Sequence, residues 1–149
     1  MRVVLIFPPK ASPPYVPLGL ASLVPFVQRE VPQCSLSAMD LNLEAWTCLA
    51  EKDPSGDALL RFLRGKGEDF YDEEVYRRHQ PAWNRIRIGF RRLLEEAGRY
   101  VESGAGSDEF LLLLDSLVSK ALSSDPECIG FSVLFLDQVP FALAMSRRI

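Results

Sequence analysis

The side chains of this 149-residue chain that could do chemistry are few and scattered. The single histidine, His79, stands in YRRHQP. A lone imidazole has no second histidine to share a metal with, so a metal or cobalt ligand is set against an ordinary exposed residue at a helix end. Cys34, Cys48 and Cys128 are odd in number and form no CxxC pair, which argues against both a disulfide framework and a zinc site. Ser132 and Gln138 lie in and just after the run CIGFSVLF. There a hydroxyl and an amide could bind a ligand's amide or nucleotide groups, or be a satisfied strand serine and a helix-capping glutamine. Asp40 could bind a ribose or serve as a turn or cap residue. Arg77, Arg78, Arg85, Arg87, Arg91 and Arg92 occur with no acidic residue between Val75 and Leu94. They read as an anion surface or as a solvated helix face beside the acidic Glu68, Asp69, Asp72, Glu73 and Glu74.

The elements that must position these residues begin with a strand at 2–7, whose continuous apolar run Val3 to Phe7 suits a strand covered on both faces. Pro8 and Pro9 remove two backbone donors and end its ladder. A stiff loop with Pro13, Pro14 and Pro17 follows, and Leu18 starts a helix whose buried face should be Leu20, Leu23, Val24 and Val27. Pro25 inside it should kink or restart the helix. Gly19, near the helix N-terminus, permits close approach of a ligand to the backbone or close packing of helix on strand. No GxGxxG follows the first strand, which disfavours the usual dinucleotide site. A turn at 31–33 leads to a second strand at 35–39, parallel to the first because a helix joins them.

From 43 to 125 the sequence reads as helices and connectors, an insertion between the second and third strands. Pro81 should open the longest helix, with Trp83, Ile86, Phe90, Leu93, Leu94, Ala97 and Val101 inward. Ser107 should cap the next, which buries Phe110, Leu113, Leu114, Leu117, Val118 and Ala121. A third strand is expected at 129–134, then a turn at 136–138 and a helix with Pro140 in its first turn and Val139, Ala142 and Leu143 inward. The chain reaches Ile149 with no helix terminator, which suggests the N-terminal piece of something longer.

Composition bounds the function. A net charge of −3 argues against a general nucleic-acid binder, and 48% hydrophobic residues allow a substantial core. No signal peptide is visible, and no apolar run approaches the ~20 residues of a membrane span. A cytoplasmic protein without membrane or nucleic-acid partners is expected.

Taken together, VVLIFPP, PPYVPLGL, MDLN and the IGFSVLF strand followed by a glutamine and a short helix resemble the N-terminal cobalamin-binding domain of the radical S-adenosylmethionine enzymes. The resemblance covers about seventy residues at the two ends of the chain and leaves the helical middle unmatched. It implies a flavodoxin-like parallel sheet in the order 2-1-3, with a corrinoid, cobalamin, held across the carboxyl ends of the strands. It also implies a C-terminal radical domain whose CxxxCxxC loop carries a 4Fe-4S cluster and cleaves S-adenosylmethionine for methyl transfer or oxidative cyclisation. This chain has no CxxxCxxC, so it holds no such cluster and does no radical chemistry alone. It also lacks the DxHxxG loop that ligates cobalt elsewhere, as the radical subgroup often does.

The topology places Pro8, Pro9, Pro17, Leu18, Gly19, Ser132, Phe135 and Gln138 as the cofactor-binding rim, with no catalytic or metal-ligating residue among them. The alternatives are a non-catalytic flavodoxin-like interaction module, docking through its arginine-rich helix, and a nucleotide- or flavin-binding domain. An open third strand should also make this chain self-associate.

Overall fold

A computed structural model describes residues 1–10, 17–64 and 72–149. It is α/β and mostly helical, built on a three-stranded parallel sheet in the order β2-β1-β3. The strands are β1 (Arg2–Phe7), β2 (Ser35–Asp40) and β3 (Cys128–Phe131). As its uniformly apolar sequence requires, β1 is central: Val3 pairs with Leu36 and Ile6 with Met39 on one side, and Val4 with Ile129 and Ile6 with Phe131 on the other.

The helix α1 (Leu18–Glu30) connects β1 to β2. Between β2 and β3 come α2 (Leu41–Glu51), α3 (Gly56–Arg64), α4 (Glu73–Ser103) and α5 (Asp108–Leu122), with no strand among the described residues of that span. After β3, a short 3-10 turn (Leu136–Gln138) runs into α6 (Val139–Arg148). Strand residues alternate between faces, so Val4 and Ile6 with Met39, Ile129 and Phe131 share one face. That face packs on α2, α4, α5 and α6 in one apolar cluster. Trp46 stacks on Trp83 and Phe90 at 5.2 and 5.3 Å, and Phe141 meets Phe90 and Phe110 at 6.1 and 6.0 Å. The opposite face carries Leu5, Phe7, Leu36 and Gly130 under α1. There a Cβ on Gly130 would lie 2.7 Å from Leu5 Cδ2.

Several expectations from the sequence need correction. On α1 only Leu20 is buried; Leu23 is 41% exposed, and Val24 and Val27 are half-buried. Among the described residues one helix, α1, lies against this opposite face at β2. The helix runs through Pro25 without restarting, since that ring is exposed. Pro81 does not open α4 but sits inside it. Asp72 begins the helix by accepting from the Glu74 and Val75 N–H groups. Pro81 faces solvent, so water can serve the carbonyl it leaves without a donor. On α6 the inward residues are Phe141, Ala142, Ala144 and Met145, whereas Val139 and Leu143 are 37% and 49% exposed. The expected face was displaced by about one residue around the helix.

The caps and the α5 face follow the sequence. Gly104 ends α4 with φ +76°, the left-handed conformation that glycine adopts without strain. The Ser107 hydroxyl accepts the Phe110 N–H at 3.3 Å, and all six expected residues of α5 are buried. Outside the core, Arg85–Asp53 and Arg148–Asp115 pair with two hydrogen bonds each and tie α4 to the α2–α3 turn and α6 to α5. Such pairs, with their guanidinium groups in water, stabilise the fold little.

Candidate functional site

The carboxyl ends of the three strands bring together residues 8–10 after β1, Asp40 and Asn42 after β2, and residues 132–138 after β3. The third strand was expected to run to residue 134, but its ladder stops at Phe131. One more rung follows, from the Ser132 N–H to the Ile6 carbonyl at 2.8 Å. In a parallel ladder the next donor would be Leu134 N–H and the next acceptor the Pro8 carbonyl. Instead, the Gln138 side chain stands between them. Its Nε2 donates to the Pro8 carbonyl at 2.9 Å, and its Oε1 accepts from Leu134 N–H at 2.8 Å and Phe135 N–H at 3.1 Å. A side-chain amide thus completes the sheet where the two backbones part. Pro8 also helps end the ladder on the donor side, since it has no N–H to offer the Ser132 carbonyl.

Gln138 is fully buried, and Pro8 and Pro9 are buried. Its capping function is realised, with the additional bond to β1. Ser132 is half-buried and takes part through its backbone. Phe135 is 42% exposed, and the Lys10 ammonium lies 4.2 Å from the centre of its ring. Pro17, Leu18 and Gly19 begin α1, where the Pro17 carbonyl accepts from Leu20 and Ala21. A Cβ on Gly19 would meet nothing within 4 Å, so helix–strand packing does not require this glycine. Residues 11–16 of the proline loop lie outside the described residues. Leu136, Leu18 and Leu134 are 91%, 73% and 62% exposed, placing bare apolar surface on both sides of this end of the sheet.

Two residues not singled out from the sequence belong to this site. Lys10 is fully buried; its backbone N–H donates to Asn42 Oδ1 at 2.9 Å, and its carbonyl accepts from Trp46 Nε1 at 3.2 Å. Asn42, in the first turn of α2, is fully buried too. The signal available was a lysine directly after an apolar strand and two prolines, and the Asn of MDLN two residues after a helix cap. Asp40 is that cap, its carboxylate accepting Leu43 N–H at 3.0 Å. Burial pushes its carboxyl above the ordinary value, partly offset by that bond and by the Lys10 charge.

Other candidates fall elsewhere. His79 stacks on Phe62 at 4.7 Å inside α4, so it is not the exposed helix-end residue expected. The thiols of Cys34, Cys48 and Cys128 are free, and the described residues contain no cluster of His, Cys, Asp and Glu able to hold a metal ion. A surface cavity of about 330 Å³ opens between α4 and α5, lined by Glu96, Arg99, Ser103, Ala105, Gly106 and Ser107. Its helix N-terminus is already served by Glu96, which accepts both the N–H and the hydroxyl of Ser107 and is held below the usual carboxylate range. Among the described residues no helix is long and apolar enough to cross a membrane. Comparison of the chain with protein-family models, curated proteins and solved structures gives no match in any of the three.

Proposed function

We propose that this chain is a flavodoxin-like, corrinoid-binding domain that serves a cytoplasmic radical S-adenosylmethionine enzyme. The observation that carries the reading is the parting of β1 and β3 beyond the Ser132–Ile6 rung, with exposed Leu18, Leu134 and Leu136 beside it. In an open parallel sheet, ligands settle in the crevice where the connections leave a central strand in opposite directions. Apolar walls there suit a broad, flat ring carrying amides at its edge. The VVLIFPP, PLGL, MDLN and IGFSVLF segments, which resemble that family, supply the loops and strand ends of the same crevice.

Leu18, Leu134, Phe135 and Leu136 would bear on the ring of cobalamin, and the backbone around Gly19 and Ser132 would meet its amides. The fit is one of shape and hydrogen bonding: residues 8–10 and 132–138 contain no histidine, so this chain supplies no imidazole nitrogen to cobalt from those segments. The corrinoid, when bound, supplies methyl transfer or assists oxidative cyclisation. The three cysteines lack the spacing for a 4Fe-4S cluster, and that cluster with its S-adenosylmethionine would belong to a radical domain elsewhere in the enzyme.

Visible absorption on titrating hydroxocobalamin into the protein tests this. Saturable spectral change, weakened at least tenfold in Gly19→Trp and Leu136→Asp, is expected; no change with a folded protein overturns the reading.

A second reading, a non-catalytic interaction module, is favoured by one observation. Arg78, Arg87, Arg91 and Arg92 are exposed on α4 and make no ion pair with any described residue. A partner with an acidic surface would suit that face. Such a module would stay colourless with cobalamin, and its binding would weaken with salt and with Arg87→Glu.

A further inference from the structure

Asn42 carries a polar atom that finds no partner among the described residues. The residue is 0% exposed, and its Oδ1 accepts the Lys10 N–H at 2.9 Å. That bond fixes the amide's orientation, because turning the group over would set its NH2 against another donor. The NH2 therefore points away from Lys10 N–H, and Nδ2 has no hydrogen-bond acceptor among the described residues. Leaving a buried amide donor unsatisfied costs about 1–3 kcal/mol, a cost that an apolar side chain of similar size would avoid. Nearly all buried donors in folded proteins are satisfied, so an exception at the strand ends asks for an acceptor beyond the described residues.

The surroundings specify the acceptor's chemistry. Asn42 lies in the first turn of α2, an eleven-residue helix whose N-terminus favours negative charge. The buried Lys10 ammonium rests on the Phe135 ring, and its charge reaches Asp40, the cap of the same helix. Positive charge and an unfilled N–H select an oxyanion over a neutral carbonyl.

We propose that Asn42 Nδ2, with Lys10 beside it, forms an oxyanion subsite at the carboxyl ends of β1 and β2 that takes a phosphate oxygen. The phosphate can be free or part of a larger ligand. Only the second source, the phosphodiester in the nucleotide tail of cobalamin, rests on the corrinoid reading.

The test follows the Asn42 side-chain NH2 resonances in ¹⁵N-labelled full chain, titrated with inorganic phosphate, cobalamin or cobinamide, which lacks the phosphate-bearing tail. Asn42→Asp is the informative variant, because it keeps an acceptor for Lys10 N–H while replacing the NH2 donor with a carboxylate oxygen. Asn42→Ser, which removes the NH2 without adding charge, controls for repulsion and should weaken phosphate binding likewise. Phosphate should shift the Asn42 pair saturably in the native chain, and Asn42→Asp should weaken phosphate binding at least tenfold, followed through the backbone resonances of residues 41–46. Cobalamin should also shift the Asn42 pair, and cobinamide should not. Unmoved Asn42 resonances with phosphate, as a trapped water would leave them, overturn the subsite, and so does equal phosphate affinity in Asn42→Asp. Spectral binding of cobalamin without any phosphate response leaves the corrinoid reading standing and removes the subsite. A phosphate response with no cobalamin binding does the reverse.

Discussion

The two faces of the sheet are covered very differently. One face, bearing Val4 and Ile6, lies against α2, α4, α5 and α6, and its cluster includes the ring chain Trp83–Trp46–Phe90–Phe141–Phe110. Among the described residues the other carries a single helix, of which Leu20 alone is buried while Leu23 and Phe26 are 41% and 52% exposed. Apolar sequence is similar on both sides; depth of cover is not. Stability should therefore reside mainly in the helical layer, leaving the α1 side and the loops at the strand ends freer to serve a ligand.

Substitutions can break this comparison. Phe110→Ala, at 0% exposure between Tyr100 and Phe141, should cost about 3–5 kcal/mol in urea unfolding. Leu20→Ala on the thin face should cost about 2 kcal/mol or less, since solvent can fill part of the space. Equal losses would mean the α1 side is as firmly packed as the other. Gln138→Leu tests the seam between β1 and β3. It strips partners from the Pro8 carbonyl and from Leu134 and Phe135 N–H, and should cost about 2–3 kcal/mol. Amide exchange at Leu134 should rise with it.

Acid titration sharpens the same contrast. Asp53, Asp115 and Glu127 are held below their ordinary values by bonds to Arg85, Arg148 and the Arg2 N–H respectively, and Glu96 by Ser107. Their folded carboxyls bind protons less readily than unfolded ones. Their contribution is thus complete above the ordinary values of 3.8 and 4.5 and is lost as pH falls below them. Asp40, at the strand ends, has the opposite sign: its contribution is present below 3.8 and lost as pH rises through its raised folded value. Asp40→Asn keeps the cap and should flatten the urea midpoint above pH 4, leaving the acid limb unchanged. The smallest effect expected is a gain: Gly19→Ala, with open space around it, should raise stability by about 0.5–1 kcal/mol.

Much of this was legible in the sequence. The apolar run of Val3 to Phe7 marked β1 and its central place, weak alternation at 34–39 marked β2, and the spacing of Phe110 to Ala121 marked the whole buried face of α5. Periodicity failed where tertiary cover decides, as at Leu23, Val139 and Leu143, because an apolar stripe does not say whether a second layer exists to receive it. It also failed at Pro81, where a solvent-facing position tolerates a residue that usually opens or ends a helix. At the site, Gln138 was visible as a residue type in the right place. Its bond to Pro8 was not, because pairing across 130 positions leaves no local pattern. Lys10 and Asn42 escaped for a similar reason: a lysine in a loop reads as solvated until a helix from elsewhere closes over it.

The bridge from Gln138 to Pro8 also bears on the order in which the molecule can be built. The Pro8 carbonyl is made early in synthesis, yet the side chain that receives it arrives 130 residues later. Until then β1 can pair only with β2, through the local α1 crossover, and its other edge is bare. The loop beyond β1 therefore takes its final shape only after the helical layer and β3 have emerged. The strand-end crevice should be among the last parts to form, after the long-range closure that sets the folding rate of such a topology.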